Sequence, residues 1–85
     1  MSALAARVQD VYSRMEAETA CVITRSWLED NGLGDVQLLT VAHSIPAPHF
    51  PAEVWVDYTT DNIIISRGDW PDNLPKPGKL ARKYL

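Results

Sequence analysis

Cysteine occurs once, at position 21, so no disulfide can close within the chain. A lone thiol, behind an opening Met-Ser-Ala-Leu-Ala-Ala with no basic stretch followed by an apolar block, leads us to expect a cytoplasmic protein in a reducing compartment. Nowhere do eighteen apolar residues run together, so no membrane association is expected. Close pairs of the Cys-x-x-Cys or His-x-x-x-His kind are missing as well. His43, His49, Cys21 and Asp57 are too scattered for a zinc module, and neither metal nor cofactor is expected. Basic residues are scarce over most of the length: residues 1–75 hold four against eleven acids, a balance of −7. The other four, Lys76, Lys79, Arg82 and Lys83, fall in the last ten positions, where there is no acid at all. An acidic body with a basic tail can act between molecules, within one, or simply for solubility.

Eighty-five residues set a tight limit on the core. A chain of this length buries only roughly 60 to 65 % of its unfolded surface. The net stability such a core supplies is about 3 to 5 kcal/mol, and small chains often lean on a partner subunit for more.

The longest periodic stretch is residues 2–31, where Leu4, Val8, Val11, Tyr12, Met15, Val22, Ile23 and Trp27 recur at spacings of three and four. The spacing predicts a helix, with Ser2 as its N-cap and Asn31-Gly32-Leu33-Gly34 as a Schellman-type stop. A straight helix of that length would span about 45 Å, against a diameter of about 25 Å for a compact chain of this size. It must therefore break, most readily around Glu18-Thr19-Ala20-Cys21, or pack part of its stripe on a second copy.

Three strands are expected after it. Residues 36–43 are β-prone; residues 53–59 alternate, with Val54, Val56 and Tyr58 on one side and Glu53, Trp55 and Asp57 on the other; residues 62–67 return after the turn residues Thr59 to Asn62. Between the first two, Pro46, Pro48 and Pro51 forbid helix and ladder alike. The expected fold is α+β: a long N-terminal helix on a three-stranded antiparallel meander within a domain of residues 1–70. A Pro-rich basic C-terminal arm, residues 71–85, follows and ends in two short helical turns. Such a sheet has one face without a helix, where Trp55 and Ile64 can stand.

No catalytic motif rises above background. His43 or His49 with Ser44, Cys21 or Asp57 would be needed for acid-base or nucleophilic work, and closeness in sequence is not a cleft. Cys21, between Ala20 and Val22, reads as a small packed hydrophobe. Arg67-Gly68-Asp69 reads as a strand end and turn. The reading is therefore a small non-enzymatic protein that binds another macromolecule, most simply a protein. This would be an interaction or inhibitor module of the kind common among bacterial and phage accessory proteins. Trp55, Ile64, Trp70, Leu74 and Tyr84 are the expected contact residues, and a homodimer through the long helix or a sheet edge is compatible with it. Two alternatives stand beside it. Lys76, Lys79, Arg82 and Lys83 could bind nucleic acid, or His43 or His49 could serve a minimal enzyme with a cleft near the proline loop.

Overall fold

The computed structural model describes residues 3–85, and the expected Ser2 cap lies outside them. The fold is α+β, with three helices and a four-stranded antiparallel sheet among the described residues. The elements follow in the order α1 (Ala3–Arg14), β1 (Ala20–Thr24), α2 (Arg25–Asp30), α3 (Leu38–His43), β2 (Ala52–Asp57), β3 (Asn62–Arg67) and β4 (Lys79–Tyr84). The sheet order is β1-β3-β2-β4.

The single helix expected over residues 2–31 is instead a helix, a strand and a second helix. The longest extent of the molecule is 35 Å, too short for the unbroken rod. The break falls at residues 15–19, and Val22, Ile23 and Thr24, three β-branched residues in succession, favour the extended backbone that follows it. Cys21 and Ile23 are buried while Val22 and Thr24 are exposed, which is strand alternation and not a helical stripe. Thr24 then starts α2, its hydroxyl accepting the Trp27 N–H at 3.1 Å. The expected stop is present: Gly32 has φ +76°, the Leu33 N–H reaches the Leu28 carbonyl at 2.7 Å and the Gly32 N–H that of Glu29 at 3.2 Å.

Residues 36–43, expected as a strand, contain α3. Leu38, Val41 and Ala42 are its buried residues, at helical spacing, and a two-leucine stretch with alanine suits a helix once tertiary contacts reward it. The two later strands stand at 52–57 and 62–67 and pair with each other, Val54 facing Ile65, Trp55 facing Ile64 and Val56 facing Ile63. The two helical turns expected in the C-terminal arm are in fact β4, an edge strand on β2 with an irregularity at Val54/Trp55. Cross-strand pairing has overridden a local preference here.

The buried residues of the helices (Val8, Val11, Tyr12, Leu28, Leu38, Val41) join Met15, Cys21, Ile23, Val54, Val56, Ile63 and Ile65 in one core against one face of the sheet. Two phenols fasten the rim of this layer to the proline loop: Tyr12 donates to the Pro46 carbonyl and Tyr84 to that of Ile45. Arg25 ties the loop after α2 to the β2–β3 turn, donating to Asp61 at 2.8 Å and to the Gly34 and Val36 carbonyls at 3.0 and 3.1 Å. No helix among the described residues is long and apolar enough to cross a membrane.

Candidate functional site

The face of the sheet away from the helices carries the molecule's most distinctive surface. Alternation along the strands, with Ile63 and Ile65 buried in the core, turns Ile64 the other way. The pairing register then aligns Val22, Ile64, Trp55 and Leu80 in one row across all four strands. Val22 and Leu80, at the two ends, are 40 % and 43 % exposed, whereas Trp55 in the centre is 6 % exposed. A parallel row of Ala20, Ser66, Glu53 and Lys83 runs beside it.

The chain between β3 and β4, residues 68–78, forms a strap that shields the centre of this face. Its start is held by the Gly68 N–H on the Pro51 carbonyl at 2.7 Å and by the Trp70 N–H on Glu53 Oε1 at 2.6 Å. Lys83 bridges the same corner, 2.9 Å from Asp69 and 3.9 Å from Glu53, and the Asp69 carboxylate raises its pKa. The Trp70 indole donates to the Pro75 carbonyl at 3.1 Å, closing the strap on itself, and meets Trp55 edge to face with centroids 6.3 Å apart. The Lys76 ammonium stands 6.0 Å from the Trp55 ring centroid. Buried this way, the Trp55 indole nitrogen has no hydrogen-bond partner among the described residues. At the β1 end of the strap a cavity of about 290 Å³ opens between Ala20 and Ser66 on one side and Trp70, Pro71 and Leu74 on the other.

Of the contact residues expected from the sequence, Trp55 and Ile64 lie in this row and Trp70 and Leu74 in the strap beside it. Tyr84 does not join them. It pairs with Ala52, is 8 % exposed and belongs to the core on the opposite side, where burial raises its pKa. Val22 escapes the sequence reading because residues 2–31 read as one helix, although the β-branched run around it was an available signal. Leu80, in the segment read as two short helical turns able to dock on the uncovered face, does reach that face, but as part of a strand paired with Trp55. Glu53 was also missed, although a carboxylate alternating with valines in a strand is a polar group in need of a partner.

The basic residues of the C-terminal segment are spread out and mostly engaged. Lys76 pairs with Asp72 at 3.3 Å and Lys83 with Asp69, while Arg82 donates to the His43 carbonyl at 2.8 Å and lies over the Tyr84 ring. Lys79 is exposed at the start of β4.

The expected acid-base residues are not assembled. His43 ends α3, Ser44 donates its hydroxyl to the Val41 carbonyl, and Asp57 accepts from the Thr59 and Thr60 amides. The Thr60 hydroxyl and those amides lower the Asp57 pKa. The Cys21 thiol is buried and donates to Glu18 at 3.6 Å; burial first, and then Glu18, raise its pKa. A groove of about 450 Å³ does run between α1 and the proline loop, past Tyr12, Ser13, Glu16, Pro46 and His49. What it offers is one contact of 3.6 Å between the exposed His49 imidazole and Glu16. Among the described residues no group of three or more His, Cys, Asp and Glu gathers to hold a metal ion.

No protein-family model matches this chain, and no curated protein or solved structure matches it either.

Proposed function

We propose that this chain is a non-enzymatic binding module whose helix-free sheet face docks on another protein. The carrying observation is the row Val22–Ile64–Trp55–Leu80, flanked by Trp70 and Leu74, on the side of the sheet where no helix of the described residues packs. Large apolar and aromatic groups clustered beside a polar rim are what protein interfaces use as anchors. The polar groups beside the row are paired, Asp69 with Lys83 and Asp72 with Lys76, and the net charge of −3 over the whole chain would favour basic partners. An inhibitor that covers a basic surface of its target fits this chemistry.

Nucleic-acid binding has less support, because Lys76 and Lys83 already face carboxylates and Arg82 turns toward the α3 end. The test is capture from a cell lysate by the full chain, with Val22→Asp and Leu80→Asp as paired controls. One protein retained by the parent, resistant to nuclease and lost with either variant, supports the reading. Retained material that ignores both substitutions, or that nuclease removes, overturns it.

A further inference from the structure

We propose that the free edge of β1 and the cavity beside it receive an extended peptide segment of the partner, which adds a fifth strand and buries one large apolar side chain. The inference rests on the protein-binding reading above and names the form of the partner.

The two edges of the sheet are built differently. β4 carries Lys79, Arg82 and Lys83 and breaks register against β2, and such charges and irregularities deter further pairing. β1 has none of these protections: Ala20–Thr24 is uncharged, unbulged and free of proline and glycine. Its hydrogen-bonding phase follows from one contact. The Arg67 N–H donates to the Thr19 carbonyl at 2.8 Å, so Thr19, Cys21 and Ile23 exchange their bonds with β3. The N–H groups of Ala20, Val22 and Thr24 and the carbonyls of Ala20 and Val22 therefore point away from the sheet, where no strand of the described residues lies.

The cavity sits where an added strand would place a side chain. A residue opposite Ala20 has its Cβ roughly 5 Å from that of Ala20, on the same face. Ala20 and Ser66 are small and leave the space open, with Trp70, Pro71 and Leu74 forming its far wall. Its volume of about 290 Å³ is below the range of most small-molecule sites and is ample for one aromatic or long aliphatic side chain. Backbone bonds along an edge with a pocket for alternate side chains is the general form of strand addition.

A second copy of the chain fits less well. Twofold pairing of β1 with itself about Val22 would set Thr24 opposite Ala20, and that hydroxyl is committed to capping α2, so the cavity would stay empty. Ala20, Val22, Thr24, Ile64 and Ser66 are uncharged, and the two charged residues that also line the cavity, Arg67 and Asp69, are of opposite sign, which suits an alternating segment of no net charge.

The experiment selects binders to the intact chain from a phage-displayed dodecapeptide library, then synthesises the enriched peptide and measures its affinity by fluorescence polarisation. The expected consensus is one large apolar residue within alternating β-formers. Methylating single peptide amide nitrogens should weaken binding about tenfold at every second position and little between, since each such methyl removes one edge hydrogen bond. Ala20→Leu, which fills the cavity, should cost about tenfold with the consensus peptide and little with one carrying alanine at the anchor. Failure to enrich any peptide, indifference to N-methylation, or a dimer by sedimentation that peptide does not dissociate would each overturn the inference. If that happens while Leu80→Asp still abolishes protein capture, the face reading stands and only the strand falls.

Discussion

Gly78 should be the residue this fold can least replace. It sits where the strap turns into β4, with φ +146°, a region that side-chain-bearing residues rarely adopt. A Cβ added there would run into the Val56 carbonyl oxygen and stand 2.7 Å from the Val56 carbonyl carbon and 2.8 Å from the Asp57 Cα. All three are backbone atoms of β2, and none can swing aside as a side chain would. Gly78→Ala then carries two costs, about 1 to 3 kcal/mol for the backbone conformation and about 1 to 3 kcal/mol for the overlap. Together they rival the total of about 3 to 5 kcal/mol available to a chain this small. Gly32 and Gly68 separate the two terms, because both have positive φ (+76° and +71°) but nothing within 4 Å of an added Cβ. Gly68→Ala should lose only about 1 to 2 kcal/mol, the left-handed penalty alone. Urea unfolding followed by tryptophan emission measures each loss, and amide exchange shows whether β4 has come away from β2. Equal losses for Gly78→Ala and Gly68→Ala, with β4 amides still protected, would refute the reasoning.

Other expectations follow from the phenols and the thiol. Tyr84→Phe leaves the Ile45 carbonyl without its donor and should cost about 1 to 3 kcal/mol in the same unfolding assay. Burial holds the Tyr12 and Tyr84 pKa values above the ordinary tyrosine value of 10.0, so their stabilising contribution is complete below that pH and falls as pH rises beyond it. Unfolding free energy measured at stepped alkaline pH should decline, and Tyr84→Phe should flatten the decline. Because burial and Glu18 favour the protonated thiol, Cys21 should react with a disulfide reagent far more slowly in the native chain than in urea, and Glu18→Gln should quicken the native reaction.

Where the sequence was legible, a single local signal sufficed. The Val54/Trp55/Val56 alternation placed its residues on the correct faces, and Gly32 with Leu33 marked the end of α2. Periodicity misled wherever a short segment had two readings. Cys21, Val22 and Ile23 continue the stripe of α1 by spacing, yet they belong to a strand whose identity is decided by pairing with Ile63 to Ile65. Leu38 to His43 is β-prone by composition and becomes helix because Leu38, Val41 and Ala42 then meet the core together. β4 was illegible for a simpler reason: Lys79 to Tyr84 has no apolar alternation of its own, and its partner is β2, more than twenty residues away. The open face was half visible, since Trp55 and Ile64 were assigned from alternation while its two ends, Val22 and Leu80, depended on strands that only tertiary structure creates.

The strap explains why an apolar row survives on the open side of so small a sheet. One layer of helices suffices to bury Val54, Val56, Ile63 and Ile65, and all three helices of the described residues contribute to it. Residues 68–78 cover the centre with few contacts: Trp70 abuts Trp55, Glu53 holds the strap's backbone, and Lys83 closes the corner. This leaves the periphery uncovered, Val22 at one end and Leu80 at the other, with Leu74 beside the cavity. The Trp55 indole N–H finds no acceptor among the described residues, so the ring is held there by packing alone. The ring is nonetheless fixed from several sides, by Trp70 edge to face, by the Lys76 ammonium above it and by Ile64 and Leu80 on the neighbouring strands. The edges show the same unevenness: β4 is charged and irregular in register, whereas β1, next to the cavity, is uncharged and regular.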